Sequence, residues 1–241
     1  MAKTIIVTGG TRGIGGAISL LLKEEYNVIA LYRSDICSAE NFTLNSGNPS
    51  SLSIRQLDIC NPEEVARFYN EIEKEGRELF ALINNAGIIK DSLIHKMHYE
   101  DWKKVIEVNL NGSFLMMKHF IGATLRRKYR KKIISISSVS GVVGALGQGN
   151  YAASKAALQM LSKVAVQEYS RFGYTANVIA PGFVDTSMLD HLDKESVASK
   201  IPMKRMAKPC EVAQMVRQLL DENCDYITGQ TIVMDGGLST V

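Results

Sequence analysis

Residues 4–15 read Thr4-Ile5-Ile6-Val7-Thr8-Gly9-Gly10-Thr11-Arg12-Gly13-Ile14-Gly15. Five β-branched residues in succession suit a short strand buried on both faces. The glycines after them allow a tight turn. Ile14 opens an apolar pattern of helical period that runs to Glu25. Strand, glycine turn and helix in that order leave free N–H groups and the positive end of a helix dipole facing the turn, where a pyrophosphate can sit. Gly9, Gly13 and Gly15 are spaced G-x-x-x-G-x-G rather than G-x-G-x-x-G.

The rest of the chain repeats the alternation. Further strands are expected at Val28–Tyr32, Leu52–Leu57, Leu79–Asn84, Ile133–Ser137, Ala176–Ile179 and Thr231–Met234, mostly as continuous Val/Ile/Leu runs. Helical patterns occupy Pro62–Glu75, Tyr99–Lys128, Tyr151–Arg171 and Pro209–Leu220. The stretch Asn45–Ser51 is turn chemistry, too short to separate domains. The expected architecture is one doubly wound α/β domain of the Rossmann type over residues 1–241, with a seven-stranded parallel sheet and helices on both faces.

Composition bounds the function. A chain of 241 residues buries about 72% of its unfolded surface, enough for a core without staples. The 46% apolar and 22% charged fractions exclude disorder, and no apolar run approaches a membrane span. No signal peptide fits before the first strand. Cys37, Cys60, Cys210 and Cys224 form no C-x-x-C pair and no metal-ligand spacing, which points to a reduced, cytoplasmic compartment and no metal. Net charge is +3, but residues 126–132 (Arg126-Arg127-Lys128-Tyr129-Arg130-Lys131-Lys132) hold six cations, so the remainder sums to −3. One basic run without a recognition module does not make a nucleic-acid-binding protein.

Six motifs then stand in order. Thr8–Gly15, Asn84-Asn85-Ala86-Gly87, Asn109 in VNLNG, Ser138 in SISSVSG, Tyr151-Ala152-Ala153-Ser154-Lys155 and Pro181-Gly182 resemble the signature set of the short-chain dehydrogenases/reductases. The closing ITGQTIVMDGG is similar to that family's last strand, so the resemblance spans the chain. It implies an NADP(H)- or NAD(H)-dependent oxidoreductase. Ser138, Tyr151, Lys155 and Asn109 would be catalytic. Gly9, Thr11, Arg12, Gly13, Ile14, Gly15, Asn85, Ala86, Gly87, Pro181, Gly182, Val184 and Thr186 would line the cofactor, and Asp58-Ile59 would hold its adenine ring.

The catalytic residues make chemical sense together. Tyr151 and Lys155 are four apart and share one helix face. A charge at about 4 Å in an effective dielectric of 20 is worth roughly 4 kcal/mol, or about three pKa units, so Lys155, helped by the positive oxidised nicotinamide, is expected to draw the phenol from near 10 toward about 7. Tyr151 then serves as general acid in reduction. Ser138 would fix the substrate carbonyl. The resemblance gives Asn109 a water that links Lys155 to solvent, and gives Lys155 the nicotinamide ribose hydroxyls.

Arg33-Ser34 after the second strand, with Arg12 across the glycine turn, form two guanidinium forks suited to the 2′-phosphate of NADP. Asp35, 20 residues past Gly15, is the rival reading as an acid for the NAD ribose, though it falls two residues beyond the expected place. Within the family, Gln148-Gly149-Asn150-Tyr151, VIAPGFVDTSM and the helix-rich Ser187–Arg205 resemble reductases of β-ketoacyl thioesters, on acyl carrier protein or coenzyme A. Met188, Leu189, Ile201, Met203 and Met206 suit an adaptable acyl lid or ordinary helix packing. A free sugar, steroid or aldehyde carbonyl is the alternative substrate, and a non-catalytic NADP-binding regulator a third possibility. The family implies a homotetramer, compatible with apolar surface on 112–120 and 151–166. Arg126–Lys132 with Arg171 would dock an acidic carrier protein, or form only a solvated face.

Overall fold

The computed structural model describes residues 3–240 apart from Asn45, Asn48, Pro49 and His191, so part of the expected Asn45–Ser51 turn lies outside the described residues. Seven strands build one sheet: β1 (Thr4–Thr8), β2 (Asn27–Tyr32), β3 (Leu52–Gln56), β4 (Leu79–Asn84), β5 (Lys131–Ile136), β6 (Tyr174–Pro181) and β7 (Thr231–Met234). Their spatial order is β3-β2-β1-β4-β5-β6-β7 and every pairing is parallel. The order reverses between β1 and β4, which opens a crevice at their carboxyl ends.

Helices cover both faces. One layer packs α1 (Gly13–Leu22) and α9 (Pro209–Leu220) against β1 through Ile5, Val7, Ile18, Val212 and Val216. The other packs α3 (Pro62–Lys74) and α5 (Ser113–Thr124) through Val65, Phe68, Met116 and Phe120. Asn61 caps α3 by accepting from the Glu63 and Glu64 N–H groups. α7 (Gly149–Tyr169) packs along β6, and α8 (Lys194–Lys200) lies in the expected helix-rich segment, capped by Asp193.

Three departures from the sequence expectation have physical causes. α2 (Ile36–Leu44) lacks apolar periodicity, but Asp35 starts it by accepting from the Ser38 N–H. The helix expected over Tyr99–Lys128 is α4 (Tyr99–Ile106) and α5, joined by a π-helical stretch Glu107–Gly112. β5 begins at Lys131, two residues early, because both lysines find partners inside. Lys132 pairs with Asp225, and Lys131 donates to the carbonyls of Arg127 and Phe172 at 2.6 and 2.9 Å. A four-residue helix, α6 (Ser140–Val143), follows β5. No helix among the described residues is long and apolar enough to cross a membrane.

Candidate active site

The glycine turn leaves β1 and enters α1 with bare backbone. Gly13 has φ +53°, and Arg12, its N-cap, makes no side-chain capping bond. No acidic residue lies in the first turn. The N-terminus of α1 thus carries neither a side-chain cap nor an acidic residue to neutralise its dipole, and the Thr186 methyl stands near Gly13. This fits a dinucleotide diphosphate. Gly15 answers to packing instead, since a Cβ there would lie 2.1 Å from the Gly9 carbonyl oxygen. Thr11 and Gly15 are buried, and Ile14 packs into the core.

The Asn85–Gly87 loop is fixed to this turn. The Thr8 hydroxyl accepts from the Asn85 and Ala86 N–H groups at 2.9 and 3.0 Å, and Asn85 Nδ2 donates to the Thr8 and Gly9 carbonyls. A Cβ on Gly87 would stand 3.3 Å from both Asn109 Oδ1 and Lys155 Nζ, so three of the expected residues converge there. Arg33 and Ser34 leave β2 exposed, as does Arg12 at the turn. The Asp35 carboxyl is held below the usual range, by the Ser38 hydroxyl and N–H and also by the Arg12 charge. The rival acid is thus engaged in capping α2.

Asp58 is half-buried and accepts from the Cys60 N–H at 3.0 Å. The Ile59 and Val184 side chains enter the two cores, so only their main chains are available to a ligand. Pro181 ends β6, and Gly182 admits no side chain because the Asp235 backbone passes behind it.

Ser138, Tyr151 and Lys155 meet beyond the carboxyl ends of β5 and β4. The Tyr151 phenol lies within hydrogen-bonding reach of the Ser138 hydroxyl. Lys155 Nζ sits 5.6 Å from the centre of the Tyr151 ring and donates to the Ile136 carbonyl at 2.8 Å. The pKa balance of the protein's own groups lies above the phenol near 7 expected with oxidised nicotinamide beside it. Burial pushes Tyr151 up to about 12 against the Ser138 hydrogen bond, while burial brings Lys155 down to about 8. Desolvation is the largest influence on both groups, so at neutral pH the phenol keeps its proton.

Asn109 is held from two sides. Its Oδ1 accepts from the Ile88 N–H at 2.8 Å, and its Nδ2 donates to the Ile88 carbonyl and the Ser154 hydroxyl, each at 3.1 Å. The side chain ties the Gly87–Ile88 loop to α7. It thereby positions the site, and Oδ1, an acceptor with two lone pairs, spends one of them on the Ile88 N–H. The π-helical stretch is what brings Asn109 inward.

The basic run divides. Lys131 and Lys132 are buried in β5 and offer nothing to a partner. Arg126, Arg127, Lys128, Arg130 and Arg171 line one cleft of about 430 Å³, floored by Phe172. Arg127 and Arg130 pair loosely with Glu73 and Asp225. This cleft lies at the amino end of β5, roughly 20 Å along the strand from Ser138. Met188, Met203, Phe114, Met160 and Val164 are substantially exposed, while Ile201 is buried. No cluster of His, Cys, Asp or Glu arranged to hold a metal occurs among the described residues.

A family model described as enoyl-(acyl carrier protein) reductase matches residues 9–239. The chain is 37% identical to the 3-oxoacyl-[acyl-carrier-protein] reductase FabG of Staphylococcus aureus (strain Mu50), over 99% of this chain and 98% of that one. It is 35% identical to an acetoacetyl-CoA reductase from Shinella zoogloeoides, covering 98% of each. The solved structure of ElxO with NADP bound superposes with a TM-score of 0.93 at 30% identity, over the whole of both chains.

Proposed function

Because the chain belongs to the short-chain dehydrogenase/reductase family, we propose that it reduces the β-keto group of an acyl thioester with NADPH. The convergence of Ser138, Tyr151 and Lys155 beside the bare N-terminus of α1 carries this reading. The named activities of the FabG and acetoacetyl-CoA reductase relatives support the substrate class.

A nicotinamide bound there would supply the hydride for the carbonyl carbon. The backbone N–H groups at Gly13 and Ile14 would hold the diphosphate, Arg12 and Arg33 the 2′-phosphate, and Lys155 the ribose hydroxyls. The Ser138 hydroxyl donates to the substrate carbonyl oxygen and fixes it. Tyr151, protonated at neutral pH, passes its phenolic proton to that oxygen as charge develops on it. The Lys155 ammonium beneath the ring stabilises the resulting phenolate. NADPH oxidation measured across acetoacetyl-CoA, longer β-ketoacyl thioesters and free ketones tests the assignment. Turnover confined to free ketones or sugars would replace the thioester reading with that of a small-carbonyl reductase.

The cofactor assignment makes its own prediction. Arg33→Asp should lower kcat/KM for NADPH by about ten- to a hundredfold, the loss of a charged hydrogen-bonding pair, while sparing NADH. Equal efficiency with both cofactors in the unaltered chain would return Asp35 to the ribose.

The exposed part of the basic cleft is proposed to dock an acidic carrier protein. At roughly 20 Å from Ser138, it suits a substrate carried on a long flexible arm. Exposed charges are screened over about 8 Å at physiological salt, so carrier-linked substrates should lose kcat/KM as salt rises while a short thioester does not. Arg127→Glu, Arg130→Glu and Arg171→Glu together should raise KM for the carrier substrate alone. An equal response from both substrates would leave the cleft a solvated face.

A further inference from the structure

Asp91, on the loop after β4, is joined to Ser138 through Gln148 and Ser140, two residues that none of the roles above uses. Gln148, just before α7, donates through Nε2 to Asp91 Oδ2 at 2.9 Å. Its Oε1 accepts from the Ser140 hydroxyl at 2.8 Å. The Ser140 N–H in turn donates to Ser138 Oγ at 3.2 Å. We propose that Asp91, acting through Gln148, is a positioning residue that anchors Ser140 so that its backbone N–H holds Ser138 Oγ in place.

A carboxylate can only accept. The Gln148 amide must therefore turn its NH₂ toward Asp91 and its oxygen toward Ser140. The Ser140 hydroxyl gives its proton to Gln148, and this bond anchors residue 140. Ser138 Oγ receives the Ser140 backbone N–H, which leaves its own proton for the phenol or the substrate oxygen. One carboxylate thus fixes the amide that anchors Ser140, and with it the N–H that Ser138 accepts.

The surrounding backbone holds both ends in place. The Ser92 N–H donates to the Gly147 carbonyl at 2.8 Å, and Asn150 Nδ2 donates to the Lys90 carbonyl at 2.9 Å. Lys90 itself pairs with Asp101 at 2.8 Å, so this neighbour's charge is engaged elsewhere. Among the influences on the Tyr151 phenol, burial is the largest upward push and the Ser138 bond opposes it; the Asp91 charge adds a further upward push. Lys155, on the phenol's own helix, is the other charged group at the site.

The proposal rests on Ser138 and Tyr151 being the reacting pair, and its test separates the two claims. Asp91→Ala and Gln148→Ala should each lower kcat about tenfold, the worth of one well-placed hydrogen bond, with NADPH affinity unchanged. Their combination should be no worse than either alone, because both cut one chain. Gln148→Glu sets two carboxylates against each other and should cost more. Adding Asp91→Asn to Gln148→Glu restores a donor facing an acceptor, with the direction of that one bond reversed and an acceptor still facing Ser140, and should recover activity. Additive losses, unchanged kcat, no recovery, or a parallel loss of NADPH affinity would each overturn the proposal. A readout that needs no substrate runs alongside, the ¹³Cζ resonance of labelled Tyr151, assigned by its disappearance in Tyr151→Phe. It should shift equally in Asp91→Ala, Gln148→Ala and the double variant, and an unmoved resonance also overturns the chain. An active Tyr151→Phe enzyme overturns the reading of the site instead.

Discussion

Replacing Tyr151 with phenylalanine is expected to lower kcat by about 10²–10⁴ while leaving NADPH affinity nearly unchanged. The substitution removes one oxygen atom and keeps the ring that packs over Lys155. The proton that oxygen carries is needed only as negative charge gathers on the substrate oxygen. Its loss therefore falls on the transition state rather than on ground-state binding. The pKa balance strengthens the expectation for the reductive direction. A phenol held up near 12 by burial is fully protonated at pH 7, so the acid is ready without an activating step. The reverse oxidation needs the phenolate and should gain rate steadily as pH rises above neutrality. Stopped-flow reduction with Tyr151→Phe, beside a fluorescence titration of NADPH, checks both halves. A variant that keeps most of its turnover would place the acid elsewhere.

The alternation of parallel strands with helices and the place of the site were legible because both rest on local chemistry. Five β-branched residues followed by Gly9 and Gly13 admit few structures other than a buried strand and a phosphate turn. Tyr151 and Lys155 share a face by helical geometry alone. What escaped was decided by tertiary partners. Lys131 and Lys132 read as solvated charge until Asp225 and two carbonyls are found beside them. The helix across Glu107–Gly112 keeps its apolar period, and nothing in its composition announces the extra residue that turns Asn109 inward. α2 depends on Asp35 as a cap more than on any apolar face. The Tyr151–Lys155 pairing was visible, but its pKa consequence was not, since burial is not a property of spacing. Asp91 carried no signal either, because its partner Gln148 is 57 residues away in sequence.

Lys155→Met should abolish turnover, weaken NADPH binding, and yet make the folded chain more stable at pH 7. Lys155 is buried, and burial brings its ammonium down to about 8 from the usual lysine value near 10.5. The folded chain therefore releases this proton at lower pH than the unfolded chain does. Between about 8 and 10.5 the unfolded state binds more protons, so stability rises with pH across that window. Below about 8 the full penalty is present, on the order of 3 kcal/mol. Methionine fills similar space without the charge. It forfeits the bond to the Ile136 carbonyl, which costs about 1 kcal/mol. The net gain of about 2 kcal/mol at pH 7 corresponds to a rise in Tm of about 4–8 °C for a chain of this size. At pH 10 the gain should vanish, because the wild-type lysine is then neutral in the folded state and keeps its hydrogen bond. Thermal unfolding of both proteins at the two pH values measures this difference. A variant less stable at pH 7, or a Tm difference that ignores pH, would show that the buried ammonium is not destabilising. The expected outcome identifies why a charge is tolerated there at all. The phenolate formed on Tyr151 and the ribose hydroxyls of the cofactor both call for a cation beneath the ring, and the fold accepts a weaker native state to keep one.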